Sequence, residues 1–337
     1  MVIDPGMRRC VFRAPLALAA LLPWVAVAGA MEPSEWLERM TQSIHHHSYA
    51  GTFILQRGDR IDTVRVVHAA EDDGYRERLQ TLTGSAREVI RSVDRLSAFK
   101  GARAETVDGS TEQGPQWPPA IATALLQSGA HYELTSPGHD RVAGLPCYML
   151  QATARDALRY SQKYCVHDDT GLPLLSELID GDGQLLERLV FTEVEFLDVV
   201  FEDALEARDC DARHIEVRAG DEPDGGGEMG SHWSFEDLPP GFSPIIVTER
   251  RFAPDAPGSL HVVLSDGLAT VSVYVDETAE LSETFEGATR SGATHAFARP
   301  LAGHQITVVG EVPQQTVQWI ADSARYQPPV PEPASGN

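Results

Sequence analysis

Short runs that alternate apolar and polar residues follow one another along most of this chain, and few are separated by a helix. Tyr49 to Gln56 reads as a strand, Arg57-Gly58-Asp59-Arg60 as a turn, and Asp62 to His68 as the returning strand. Tyr75 to Leu82, Glu88 to Arg91, Leu96 to Phe99, His131 to Leu134, Pro146 to Ala154, Tyr160 to His167, Leu174 to Ile179 and Leu185 to Phe196 continue the pattern. A period of two places alternate side chains on opposite faces of a sheet. Strands joined by short turns pair antiparallel, because a parallel pair needs a long crossover. The expected fold class is therefore α+β, built on a long antiparallel meander rather than a doubly wound sheet. Two helices accompany it. Trp36, Met40 and Ile44 recur every four residues with Leu37 beside them, behind a Pro33 suited to a first turn. Pro118-Pro119 opens a shorter helix, Ala120 to Leu126.

At 337 residues the chain has room for two domains of about 100–200 residues each. Arg8, Arg9 and Arg13 precede an apolar run from Ala14 to Val27, and Ala28-Gly29-Ala30 is a small-residue cleavage site. Residues 1–30 are expected to be a signal peptide that delivers the protein to a bacterial periplasm, where disulfides persist. Composition shifts after the meander: Asp168 to Asp237 holds 21 acidic and 4 basic residues, among them the run Asp221-Glu222-Pro223-Asp224-Gly225-Gly226-Gly227-Glu228. That run has too little apolar content to pack. The expected division is a first domain over 31–200, an acidic Gly-rich linker over 201–230 and a second domain over 231–326. The second domain reads as a four-stranded antiparallel sheet, from Ile245 to Thr248, Leu260 to Leu264, Ala269 to Val275 and His304 to Gly310. One helix after Pro313 places Val317, Ile320 and Ala324 on one face. The proline-rich end, 327–337, is expected to be disordered.

Fifty Asp and Glu against 27 Lys and Arg give a formal charge of −23, which argues against nucleic acid as a partner. No GxSxG, HExxH, CxxC, Walker or GxGxxG pattern occurs in usable context, so neither an enzyme nor a cofactor is expected. His45-His46-His47 has zinc-binding residues, but successive helical positions point about 100° apart and cannot all reach one metal. It reads as a polar helix end. Asp180-Gly181-Asp182-Gly183 starts like a calcium loop, yet the glutamate such a loop needs is replaced by Phe191, so a hairpin turn is expected.

Beyond Ala30 the cysteines are Cys147, Cys165 and Cys210. A hairpin turning near Asp156 sets Cys147 opposite Cys165, about 4.5–5.5 Å apart at Cα, within disulfide reach. A disulfide is expected there, with Cys210 outside it. From Arg57 to Arg103, ten basic residues stand against eight acidic ones, a locally positive stretch in an acidic chain. It reads either as ion pairing on exposed strands or as a site for an anionic lipid or an acidic partner, with Arg76, Arg78, Arg87 and Arg91 the candidates for an anionic head group.

Six short motifs occur in order. They are Tyr49-Ala50-Gly51-Thr52-Phe53, Ala86-Arg87-Glu88-Val89-Ile90-Arg91, Asp169-Thr170-Gly171-Leu172-Pro173-Leu174, Leu238-Pro239-Pro240-Gly241-Phe242, Ser265-Asp266-Gly267-Leu268 and Thr307-Val308-Val309-Gly310-Glu311-Val312-Pro313. In these the chain resembles the RseB/MucB family, periplasmic negative regulators of the sigma-E (AlgU-type) envelope stress response, from about Glu35 to Arg325. The resemblance implies a first domain similar to the lipoprotein carriers LolA and LolB, a half-open antiparallel β-barrel with helices. It implies a partner, the periplasmic segment of an RseA/MucA-type membrane anti-sigma factor, shielded from the site-1 protease. It further implies displacement by lipid or lipopolysaccharide fragments, and assembly as a homodimer or larger homo-oligomer. Inside such a barrel Phe53, Leu55, Val64 and Val66 would meet acyl chains, held by apolar area at about 25 cal/mol per Å². Trp233, Leu238, Pro239, Gly241 and Phe242, with Asp266 and Gly267, are the expected partner contact, since aromatic anchors dominate interfaces. The alternative is a periplasmic lipid or lipoprotein carrier of the LolA/LolB type, which alone has no use for residues 233–325.

Overall fold

Every strand expected in the meander forms, and each pairs antiparallel with its neighbours. The computed structural model describes residues 31–72, 74–84, 87–92, 95–100, 131–206, 213–218, 232–251, 258–278 and 285–328. The signal peptide, the helix expected at Ala120 to Leu126, Cys210 and the tail beyond 328 lie outside the described residues.

Helix α1 (Pro33–His46) opens with Pro33 in its first turn and with the Glu32 amide donating to the Glu35 carboxylate at 2.9 Å. Its apolar stripe, Trp36, Leu37 and Met40, is buried. Strands β1 (Ser48–Arg57), β2 (Arg60–Glu71), β3 (Gly74–Thr81), β4 (Arg87–Ser92) and β5 (Arg95–Lys100) form one half of the large sheet. Strands β6 (Tyr132–Val142), β7 (Leu145–Ala154), β8 (Ser161–His167), β9 (Pro173–Ile179) and β10 (Leu185–Leu197) form the other half. The halves join where β10 returns beside β1. Gly51 permits that approach: a Cβ there would lie 2.6 Å from the Glu193 carbonyl oxygen and 2.9 Å from the Phe191 ring. The adjacent bulge, with Thr192 of β10 unpaired opposite Thr52 and Phe53, bends β10.

Residues 201–230 are not linker throughout. A one-turn helix α2 (Glu202–Leu205) buries Leu205 and reaches β3, and β11 (Arg213–Arg218) pairs with β5. Charged residues suit an edge strand, which pairs on one side only, and that is why the stretch resembled unpacked chain. Among the described residues the sheet therefore has eleven strands, in the order β11-β5-β4-β3-β2-β1-β10-β9-β8-β7-β6. Among the described residues its ends, β11 and β6, are not joined to each other, as in a half-open barrel.

The second sheet is larger than the four strands expected. It comprises β13 (Ser243–Arg251), β14 (Gly258–Ser265), β15 (Thr270–Glu277), β16 (Gly287–Ser291), β17 (Thr294–Leu301) and β18 (His304–Gly310), in the order β13-β14-β15-β18-β17-β16. Helix α3 (Gln314–Ser323) buries Val317, Ile320 and Ala321 against it. A two-stranded ribbon of β12 (Trp233–Phe235) and β19 (Ala324–Tyr326) completes the module. Strand β17 escaped the sequence pattern because its buried positions are His295 and Ala298, and it carries Pro300. Among the described residues no helix is long and apolar enough to cross a membrane.

Candidate functional site

Alternation along β1 and β2 turns Phe53, Leu55, Val64 and Val66 toward the barrel interior, with Phe53 directly opposite Val64. Leu79 of β3 and Val89 of β4 extend that face. The four residues expected to meet acyl chains do not line an open surface in this conformation. They pack against Cys147, Met149, Cys165, Leu172, Leu174, Leu189 and Phe191, and Phe53 and Val66 are fully buried. A lipid chain here would replace side-chain contacts.

Cys147 and Cys165 form a disulfide, with Cα atoms 5.3 Å apart. The register differs from the expected one. Cys147 lies opposite His167 and Cys165 opposite Met149, so the bridge joins diagonal neighbours. The reason is the connection, in which residues 155–159 bend more broadly than a tight turn at Asp156.

The four candidate arginines divide between two faces. Arg76 and Arg78 lie on the outer face. Arg76 pairs with both Glu71 and Glu202, the latter through two nitrogens. Arg78 is buried, pairs with Glu88 and donates to the Ala204 carbonyl oxygen. These two clamp α2 onto the sheet. Arg87 is exposed at the rim. Arg91 points inward with Val89 and binds Glu77 through Nε at 2.9 Å and Nη2 at 2.6 Å. They therefore form no single anion site, and three of them are occupied by carboxylates.

Sequence reading missed the buried cluster around Glu77. Tyr49, His68 and Tyr75 stack as three rings across β1, β2 and β3, with centroids 4.9 and 5.2 Å apart. Glu77, fully buried, lies 3.4 Å from His68 Nδ1 as well as against Arg91. Burial alone pushes the Glu77 carboxyl up, but Arg91 and the His68 hydrogen bond outweigh it and hold it below the usual range. Glu77 also adds to the burial that drives the Tyr49 hydroxyl upward. Only the pairing of β1, β2, β3 and β4 brings these residues together, so spacing along the chain carries no signal of them.

The expected partner residues are mostly used inside the molecule. Asp266 is fully buried between the two sheets. Its Oδ1 accepts from the amides of Leu268 and Ala269 at 3.0 and 2.8 Å. Its Oδ2 accepts from Tyr132 Oη at 3.0 Å and Arg159 Nη1 at 2.5 Å. Arg159, from the β7–β8 connection, also donates to Asp156 and to the Pro240 carbonyl oxygen, and lies over the Phe242 ring. Helix α3 adds donors: Gln315 and Thr316 bind the carbonyl oxygens of Ala157 and Leu158. Gly267, Pro239, Phe242 and Trp233 are buried, so with Asp266 they present no surface in this conformation. Leu238 is half-buried and Gly241 exposed. Gly241 has φ +93°, and a Cβ on it would meet the His131 ring at 2.5 Å, which fixes glycine at this point of the seam.

Among the described residues no group of His, Cys, Asp or Glu side chains is placed to hold a metal ion. His45 and His46 end α1, and the His47 amide caps it on the Ser43 carbonyl oxygen. Asp180 to Gly183 form the expected turn, with the Asp180 carboxylate accepting from the amides of Asp182 and Gln184.

Residues 32–213 match the MucB/RseB N-terminal domain, and residues 228–325 match the MucB/RseB C-terminal domain. The chain belongs to the MucB/RseB family. Sigma factor AlgU regulatory protein MucB of Pseudomonas aeruginosa is 34% identical over 318 residues, covering 92% of this chain and 96% of that protein. Sigma-E factor regulatory protein RseB of Escherichia coli is 24% identical over 325 residues, covering 95% and 99%. The solved complex of P. aeruginosa MucA with MucB aligns at a TM-score of 0.66 and 31% identity, over 89% of this chain and all of that one. A crystal structure of MucB aligns at 0.67 and 30% identity, over 89% and 99%. Each MucB/RseB domain thus has its counterpart here.

Proposed function

We propose that this chain is a non-enzymatic periplasmic regulator, exported by a signal peptide over residues 1–30. It binds the periplasmic segment of a membrane anti-sigma factor, shields it from site-1 proteolysis, and releases it when lipid or lipopolysaccharide fragments bind. The observation that carries this is the alignment, over 89% of the chain, with a MucB solved together with MucA. The barrel interior supplies an apolar face for an acyl chain, and exposed Arg87 at its rim is the cation we assign to a head group. For the partner, the loop at Leu238 and Gly241 runs into edge strand β13, where Ile245, Ile246 and Val247 are exposed. An edge strand offers unpaired backbone groups to an extended peptide. Titration of residues 31–337 with the periplasmic segment of the organism's own anti-sigma factor tests the reading. A saturable one-to-one complex per protomer is expected, and no binding at tens of micromolar would overturn it.

A further inference from the structure

The hairpin of β7 and β8 is a wall with different neighbours on its two faces. Cys147, Met149 and Cys165 face the barrel interior beside Phe53 and Val66. Tyr148, Leu150, Ala152, Tyr164 and Val166 face the other way. There they share one apolar cluster with Trp36, Leu37 and Met40 of α1 and with Leu268 of the second domain. The connection at the hairpin's end carries Arg159, whose side chain is fully buried against Asp266. One element, stapled by the disulfide, therefore touches the barrel core, the covering helix and the seam.

We propose that the β7–β8 hairpin is the lever, and the Arg159–Asp266 pair the latch, by which lipid in the barrel changes what the second domain presents to its partner. This rests on the function proposed above and names its regulation. Packed cores resist gradual deformation, so an acyl chain inserted against Met149 shifts the hairpin as a unit. A buried Asp266 is stable only with Arg159, Tyr132 and its two amides in place. Withdrawal of Arg159 leaves an uncompensated buried charge, and the joint opens to water rather than relaxing by degrees. The latched state holds the partner and the unlatched state holds lipid. Linkage then requires that anything weakening the latch weaken one ligand and strengthen the other.

The test measures two affinities on Arg159→Met and on the milder Arg159→Lys: one for the anti-sigma periplasmic segment, one for lipid A. Expected for Arg159→Met are at least threefold weaker binding of the segment and at least threefold tighter binding of lipid A. Arg159→Lys should shift both the same way by less. A variant that is merely damaged weakens both ligands, and that result overturns the latch, as does no change in either. In the Cys147→Ala, Cys165→Ala double variant, lipid A should lower segment affinity by a smaller factor than in the wild type. An undiminished factor removes the hairpin as the lever. If lipid A leaves wild-type segment affinity unchanged, the lipid-release part of the proposed function fails, and the switch fails with it.

Discussion

A buried carboxylate is stable only while its partners stay in place, and Glu77 makes that dependence measurable. Arg91→Met leaves the carboxylate uncompensated and should cost about 3–5 kcal/mol. The Glu77→Leu, Arg91→Met double variant should cost less than the single change, as urea unfolding will show. A double variant at least as destabilised as the single one would contradict this. Glu311 poses the opposite case. It is exposed, yet desolvation by the residues around it and nearby Glu187 push its carboxyl up to about 7, against the pull of Arg57. The folded state binds this proton more tightly than the unfolded chain, so the contribution of Glu311 to stability falls as pH rises through the window from 4.5 to about 7. Glu311→Gln should therefore raise the melting midpoint by about 1–2 °C at pH 8 and leave it unchanged at pH 4. Equal shifts at both pH values would contradict this. At this scale the sequence was least informative. Arg91 and Asp266 stood out as charged residues in recognisable motifs, but their partners lie on other strands or in the other domain, so binding groups and structural groups looked alike.

Among elements, alternation made the meander legible, because each strand of the large sheet has one face turned to a common core. What alternation could not give was register, set instead by how many residues a connection takes up. At the β7–β8 connection it moved the expected pairing by two positions while the cysteines stayed within bonding distance. Closing a loop across 18 residues of sequence separation should stabilise the protein by about 3 kcal/mol. The Cys147→Ala, Cys165→Ala double variant should lose most of that in urea, and an unchanged midpoint would show that the bridge contributes nothing. Among the described residues β13 is an edge of its sheet, where Ile246 is 51% accessible. Ile246→Lys should weaken the anti-sigma segment at least tenfold without moving the melting midpoint. Unchanged affinity would place the contact elsewhere.

For the molecule as a whole, the order of its parts was readable because six short motifs kept their order across both domains. Their use was less so: Leu238 to Phe242 and Ser265 to Leu268 build the seam between the sheets as much as any outer surface. A protein that works by covering another chain needs no reactive group, only two surfaces and a joint between them. The decisive measurement is the rate at which the site-1 protease cuts the anti-sigma periplasmic segment, with this protein present at saturation. Cutting should slow at least tenfold and recover when lipid A is added. Cutting at the uninhibited rate in the saturated complex would contradict the account.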